Sequence, residues 1–279
     1  MRPISRRALI AGLVLFAAGM AAAAQWDLTV NQAVHTPAHP VALFLEAFGF
    51  YPLYLPALLW VCTAAQRTGR TAVRAALWAV CAAGAAGLWA YSAHELAKRG
   101  IPSALPCAAV WLVLAALWVW YVRALGHVSP AVRARLSFAF GAATAYLAAQ
   151  TVVINLLKTV WARTRFDDML AAGSFADFTP WFRPFGNGGS SFPSGHTAAA
   201  CGVFALIFLC DALPAWNRRR TAVWAGCWAY VVLMAVSRVV IGRHYPSDTL
   251  AAMSVMTLLL FAVRSSRPYR RRLEELPDI

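Results

Sequence analysis

Acidic side chains are scarce: the 279 residues hold 11 Asp and Glu against 25 Lys and Arg, and the four types together make up only 13% of the chain. A water-soluble domain of ordinary composition carries about 25% charged residues, so that class is excluded. Cysteine pairing is also missing. The six cysteines (Cys62, Cys81, Cys107, Cys201, Cys210 and Cys227) lie in apolar stretches with no CxxC spacing, which suggests neither a disulfide framework nor a zinc site and predicts buried free thiols. No 20–50-residue repeat is present. Low-complexity disorder is excluded by 13% aromatic residues and 12 Trp, more than a segment that cannot bury itself carries. Apolar surface is abundant instead, at 61% hydrophobic residues and a mean hydropathy of +0.58. In such a chain the net charge of +14 marks loops beside a bilayer, and no nucleic-acid partner is expected.

A spanning helix needs about 20 predominantly apolar residues. That ruler predicts an all-α, polytopic transmembrane helix bundle of about eight spans, at residues 8–24, 41–64, 75–94, 104–124, 136–157, 195–213, 221–241 and 248–263. With the N-terminus inside and sides alternating, every inside segment carries at least three arginines. These are Arg2, Arg6 and Arg7; Arg67, Arg70 and Arg74; Arg123, Arg133 and Arg135; Arg218, Arg219 and Arg220; and Arg264, Arg267, Arg270, Arg271 and Arg272. The positive-inside rule then puts both termini in the cytoplasm of a cell (inner) membrane. Arg6-Arg7, the apolar run and Ala21-Ala22-Ala23-Ala24 fit either a retained anchor or a cleavable signal peptide. The break from Glu95 to Pro102 fits a tight external hairpin or one irregular span. Small residues in Ala82-Ala83-Gly84-Ala85-Ala86-Gly87 permit close helix approach, although simple alanine-rich filler gives the same run.

The outward-facing cations are Lys98, Arg99, Lys158, Arg163, Arg165, Arg183, Arg238 and Arg243, and six of them fall between residues 158 and 243. Cations at the outer ends of spans oppose the charge trend and imply a function; a cluster of them suits an anion. Lys158 and Arg165 are seven residues apart and share a face if the fifth helix extends that far, although snorkelling to headgroups would produce the same pattern. Pro193-Ser194-Gly195-His196 precedes the sixth span, with Ser194 placed as its N-cap. The helix N-terminus beyond it is suited to phosphate, with Gly195 admitting close approach and His196 in the first turn; an ordinary cap with an incidental histidine has the same sequence. At the end of the seventh span, Ser237-Arg238 is followed by His244 and, four residues on, Asp248. A carboxylate beside an imidazole fixes its tautomer and raises its basicity, and Asp248 also suits the first turn of the eighth span. Arg238 offers a bidentate fork for phosphate oxygens. Together these residues describe a phosphoryl-transfer site on the outer face that needs no metal: cations for the phosphoryl oxygens, one histidine to attack and another to protonate the leaving oxygen. His35 and His39 lie four apart beside Pro37 and Pro40 and read as loop residues. Asp167-Asp168 lacks the further carboxylates of a two-metal centre.

Lys158 through Arg165, Pro193-Ser194-Gly195-His196, and Ser237-Arg238 with His244 and Asp248 resemble, in order and spacing, the three motifs of the type 2 phosphatidic acid phosphatase superfamily, K-x6-R-P, P-S-G-H and S-R-x5-H-x3-D. The resemblance covers about residues 136–263. It implies a metal-free, cofactor-free phosphatase in which His244 is the nucleophile, Asp248 orients it and His196 is the general acid. Lys158, Arg165, Ser194, Gly195 and Arg238 would hold the phosphate. Undecaprenyl diphosphate, phosphatidic acid, phosphatidylglycerol phosphate and lipid A are the substrate candidates it implies, with the bilayer as the protein's other partner. A phosphotransferase using the same site, or a non-catalytic lipid-phosphate binding or transport protein, is the alternative. Two departures stand out. Phe166 replaces the motif proline and is expected to leave the chain unconstrained and dip toward lipid, and the eight spans exceed the six of the family core by a hairpin.

The organisation expected is therefore N-terminal transmembrane helices in 1–135, a catalytic core in 136–263 and a basic cytoplasmic tail in 264–279. The loop 166–192, with Trp181, Phe182 and Arg183, is positioned as a headgroup lid, and Arg183 and Arg243 are candidate headgroup contacts.

Overall fold

The computed structural model describes residues 6–279, so Arg2 of the predicted inside set lies outside the described residues, and the side chains of Arg6 and Arg7 are likewise not described. Among the described residues the protein is an all-α polytopic bundle with seven helices long and apolar enough to cross a membrane, or eight when one bent pair is counted as a span. In chain order the helices are α1 (Arg6–Val34), α2 (Pro40–Phe48), α3 (Leu55–Arg67), α4 (Thr71–Lys98), α5 (Ala104–His127), α6 (Pro130–Trp161) and α7 (Phe166–Ala171). They continue as α8 (Gly195–Ala200), α9 (Ala205–Ala212), α10 (Pro214–Asn217), α11 (Arg220–Val240), α12 (Pro246–Ser265) and α13 (Arg267–Glu274). All six cysteines are buried and free.

The spans differ from the sequence expectation in three places. The first was expected to end at residue 24, but α1 continues to Val34. Two of its polar residues, Asp27 and Asn31, lie one turn apart on one face and are both buried with partners, so the helix continues through them. The second span is broken: a short 3-10 turn at Tyr51–Leu53 separates α2 from α3, with a 42° bend. Pro52 and Pro56 supply no backbone donor there. The sixth span is interrupted by a 3-10 turn at Cys201–Phe204 between α8 and α9. Between residues 71 and 127 the tight-hairpin reading holds, since α4 and α5 are separate helices of 28 and 24 residues.

By its contacts the chain forms two compact units. One contains the described residues up to Leu45, with Ala148–Cys201 and Gly226–Phe261. Its aromatic core places Phe166, Met169 and Tyr245 against Leu28, Phe175 and Phe178. The other contains Glu46–Leu147, Gly202–Ala225 and Ala262–Ile279. There Phe48, Tyr51, Leu58 and Leu88 pack with Trp111 and Trp118, and Leu58 lies so close to α4 at Gly84 that a Cβ on that residue would stand 2.5 Å from it. This is the close approach the small-residue run permits. The C-terminal stretch continues as α13, held by Tyr269, whose hydroxyl donates to Asp211; Asp211 also takes two hydrogen bonds from Arg264 and one from Arg220.

Candidate active site

The site is assembled at the end of α6. That helix stops at Trp161 and the chain turns at Ala162, whose φ of 44° is left-handed. The last carbonyls of a helix have no internal partners; here the loop that follows returns alongside and supplies them. Phe185 N–H donates to Val160, Gly186 to Trp161, Gly189 to Ala162 and Ser191 to Arg163, each at 2.9 Å. Gly189 makes this possible, because a Cβ there would meet the Arg163 carbonyl oxygen at 2.2 Å. The loop 166–192 is thereby pinned to the helix end, and the Trp181 indole fastens it further by donating to the Met20 carbonyl.

Since α6 ends at Trp161, Lys158 and Arg165 do not share a helix face. The loop unites them instead: Lys158 Nζ donates to the Ser190 carbonyl and Arg165 Nη2 to the Ser190 hydroxyl at 2.9 Å. The next residue holds the histidine, with His244 Nδ1 2.7 Å from the Ser191 carbonyl oxygen. A carbonyl only accepts, so Nδ1 carries the proton and Nε2 keeps the lone pair. Asp248 Oδ2 lies 3.6 Å from Nδ1. It receives instead the Ser191 hydroxyl and the Tyr245 N–H, so its link to the imidazole runs mainly through Ser191. Burial, opposed by Asp248 and reinforced by Lys158 and Arg165, pushes the His244 imidazole down to about 4.

Ser194 caps α8, accepting from Thr197 N–H at 3.3 Å, and its own N–H donates to the Asp248 carbonyl at 3.0 Å. The P-S-G-H turn is thus joined to the start of α12. Lys158 passes over Gly195, with its Cε 3.5 Å from where a Cβ would stand. His196 follows, half-buried, in the first turn. Arg238 is fully buried near the end of α11, where it donates to the Ala42 carbonyl at 2.7 Å and its own carbonyl accepts the Arg243 and His244 N–H groups. Gly242 forms that turn with φ +75°; a Cβ there would approach His35 at 3.0 Å and Phe166 at 3.1 Å. Of the headgroup candidates, Arg243 pairs with Asp167 at 2.8 Å and Arg183 is exposed.

Phe166 does not dip toward lipid. It is buried, stacks on Phe175 at 5.4 Å and meets His35 edge-on at 5.2 Å. Its backbone position is one a proline would suit, since it opens α7 and follows an extended Arg165. An aromatic side chain fills a core here in place of a ring that would only restrict the chain.

The sequence assigns no site role to Asp27, Asn31, Ser190, Ser191 or Ser247, and Arg163 counts there only among the outward-facing cations. Arg163 is buried and donates to Asp248 Oδ1 at 2.7 Å, to Asp27 Oδ2 at 2.9 Å, to the Ser247 hydroxyl at 2.8 Å and to the Thr179 carbonyl at 2.7 Å. Asp27 also accepts the Ser247 N–H and hydroxyl. Asn31 donates to the His244 carbonyl at 3.1 Å, and Ser191 joins His244 to Asp248. Asp27 carried a signal, a carboxylate within an apolar run, but the first span had been ended before it. The serines carried none.

This fold and site define a polytopic helical membrane protein in which cations, a capped helix and a buried neutral histidine converge. The comparisons add to this: residues 136–272 match the PAP2 superfamily. Phosphatidylglycerophosphatase B of Bacillus subtilis is 37% identical over 76 residues, covering 26% of this chain and 37% of that protein. Lipid A 1-phosphatase of Rhizobium johnstonii is 33% identical over 122 residues, covering 40% and 43% respectively. The homonymous protein of Rhizobium etli is 32% identical over 122 residues, covering 40% and 45%. The chain therefore spans from 37% to 45% of the length of these relatives. No solved structure matches it.

Proposed function

We propose that the protein is an integral-membrane lipid-phosphate phosphatase that hydrolyses a phosphomonoester or diphosphate of a membrane lipid. Undecaprenyl diphosphate, phosphatidic acid, phosphatidylglycerol phosphate and lipid A are the candidate substrates, and the relatives' names, phosphatidylglycerophosphatase and lipid A 1-phosphatase, fall within that class. The observation that carries the reading is the hold of Ser190 and Ser191 on Lys158, Arg165 and His244 at once. Two cations are fixed beside an imidazole whose Nε2 lone pair is available, as attack on a phosphoryl group requires.

In this reading His244 Nε2 attacks phosphorus and the bond to the lipid oxygen breaks, with protonated His196 giving that oxygen its proton. Water, deprotonated by His196, then attacks the phosphohistidine; the P–N bond breaks, phosphate leaves and His244 is restored. Lys158, Arg165 and Arg238, with Ser194 and the Gly195 amide, hold the phosphoryl oxygens, while ionised Asp248 balances the charge the imidazole gains. Arg183 and Arg243 meet the headgroup. No metal takes part in these steps. The catalytic segment is 136–263, its site faces outward, and both termini face the cytoplasm. Phe166 departs from the motif proline, yet it is seated in a core with Arg165 bound to Ser190, which supports a catalytic reading over a non-catalytic binding protein.

The test is phosphate release by detergent-solubilised protein with EDTA present, across the four lipids, beside His244→Ala. Turnover of at least one lipid, lowered on the order of 10⁴-fold in the variant, is the expected result. A folded wild-type protein that releases phosphate from none of them would overturn the proposal.

A further inference from the structure

Helix α1 lies outside the segment matched to the superfamily, yet two of its residues reach the catalytic turn. We infer that Asp27 of α1 is a positioning residue for the reaction, holding Arg163 and Ser247 so that Asp248 and His244 keep their places. The inference rests on the phosphatase reading above.

Arg163 is the centre of this arrangement. Its guanidinium lies between two carboxylates, Asp27 and Asp248, and all three side chains are 0–1% exposed. It also sits over the Tyr245 ring, 4.0 Å from the centroid. The second carboxylate gives the guanidinium an acceptor on each side. Asp27 does more than balance Arg163. It accepts both the backbone N–H and the hydroxyl of Ser247, the residue immediately before Asp248, which fixes the first turn of α12. One helical turn along α1, Asn31 donates to the His244 carbonyl. Both sides of the 244–248 turn are therefore gripped from a single face of α1.

The alternative is that Asp27 serves only to satisfy a buried arginine. The two roles differ in what they move. A filler affects stability, whereas a positioning residue affects the chemical step through Arg163 and Ser247. In Asp27→Asn the neutral amide replaces a carboxylate that accepts from both Arg163 and Ser247, and Asp248 is the one carboxylate left beside Arg163. The expected result is kcat lowered on the order of tenfold to a hundredfold with KM for the lipid within about twofold, since a small displacement of catalytic groups costs that much. Formation of the acid-labile phosphoenzyme in a single turnover slows by the same factor. Coupling supplies the second readout: Asp27→Asn combined with Arg163→Gln is expected to be no slower than Arg163→Gln alone, because residues that act as one unit are not additive.

Ser247→Ala covers the case in which Asp27→Asn fails to fold, as it removes the shared hydroxyl without unpairing a charge; a several-fold lower kcat is expected. Glu275→Gln, an exposed carboxylate paired with Arg271, is the charge-removal control and keeps wild-type rates. Wild-type kcat in folded Asp27→Asn, or in Ser247→Ala where the first does not fold, overturns the inference. Strict additivity of Asp27→Asn with Arg163→Gln overturns it as well. Failure of the wild-type protein itself on the lipid panel would instead sink the phosphatase reading, so the two failures are distinguishable.

Discussion

At the scale of single residues, His244 carries the pH dependence. Its folded-state value of about 4 lies below the usual imidazole 6.5 because burial disfavours the cation. Two consequences follow in opposite experiments. In kinetics, the imidazole is already neutral at pH 5, so the acid limb of kcat/KM attributable to this group is expected near 4, not near 6.5; a limb at 6.5 abolished by changing His244 would contradict this. In stability, the unfolded chain binds the proton and the folded one does not between those two values. The contribution is therefore fully present above 6.5 and lost as pH falls toward 4, at a cost of about 3 kcal/mol. Denaturation midpoints in detergent at pH 7 and pH 4.5, compared with His244→Gln, measure it. Ser191→Ala tests the indirect link to Asp248. Its hydroxyl is lost while its carbonyl still holds His244, and a buried carboxylate deprived of one donor costs about 1–3 kcal/mol, expected as a lower unfolding temperature together with a lower kcat.

At the scale of elements, the decisive feature is the end of α6. The helix was expected to carry Lys158 and Arg165 on one face, but a loop that satisfies its terminal carbonyls brings the two together by way of Ser190. The α11–α12 turn is equally specific. In Gly242→Ala the new methyl would require φ +75° and press on His35 and Phe166, and a loss of about 1–3 kcal/mol is expected from such a backbone conformation, read as a fall in thermal midpoint with lowered activity. Phe166→Ala empties the aromatic core beneath the same turn and is expected to cost about 3–5 kcal/mol. A value near zero in the same melt would mean that Phe166 does not hold the turn. The P-S-G-H cap and the α4–α5 hairpin were legible because they depend on local spacing. The continuation of α1 was not, since nothing local explains why Asp27 and Asn31 tolerate a helix.

At the scale of the whole molecule, the distribution of arginine makes the orientation testable. All six native cysteines are buried thiols, so an introduced cysteine supplies the main reactive group. Arg183→Cys, at an exposed loop position, is expected to react with a membrane-impermeant maleimide on intact spheroplasts. Arg70→Cys, exposed between α3 and α4, is expected to react only after permeabilisation. The reverse pattern would refute an outward-facing site.

The amino-acid sequence alone determined the solvent, the number of spans to within one, the free thiols and the three motifs, because hydropathy, helix caps and fixed spacings act within a few residues. Tertiary structure decided how those motifs meet. Ser190 and Ser191 gather the lysine, the arginine and the histidine; Phe166 is seated in a core; Arg163 is shared between Asp27 and Asp248, residues 221 positions apart in the chain. A buried charge is tolerated only where partners complete its hydrogen bonds, and those partners come from segments that no local pattern connects.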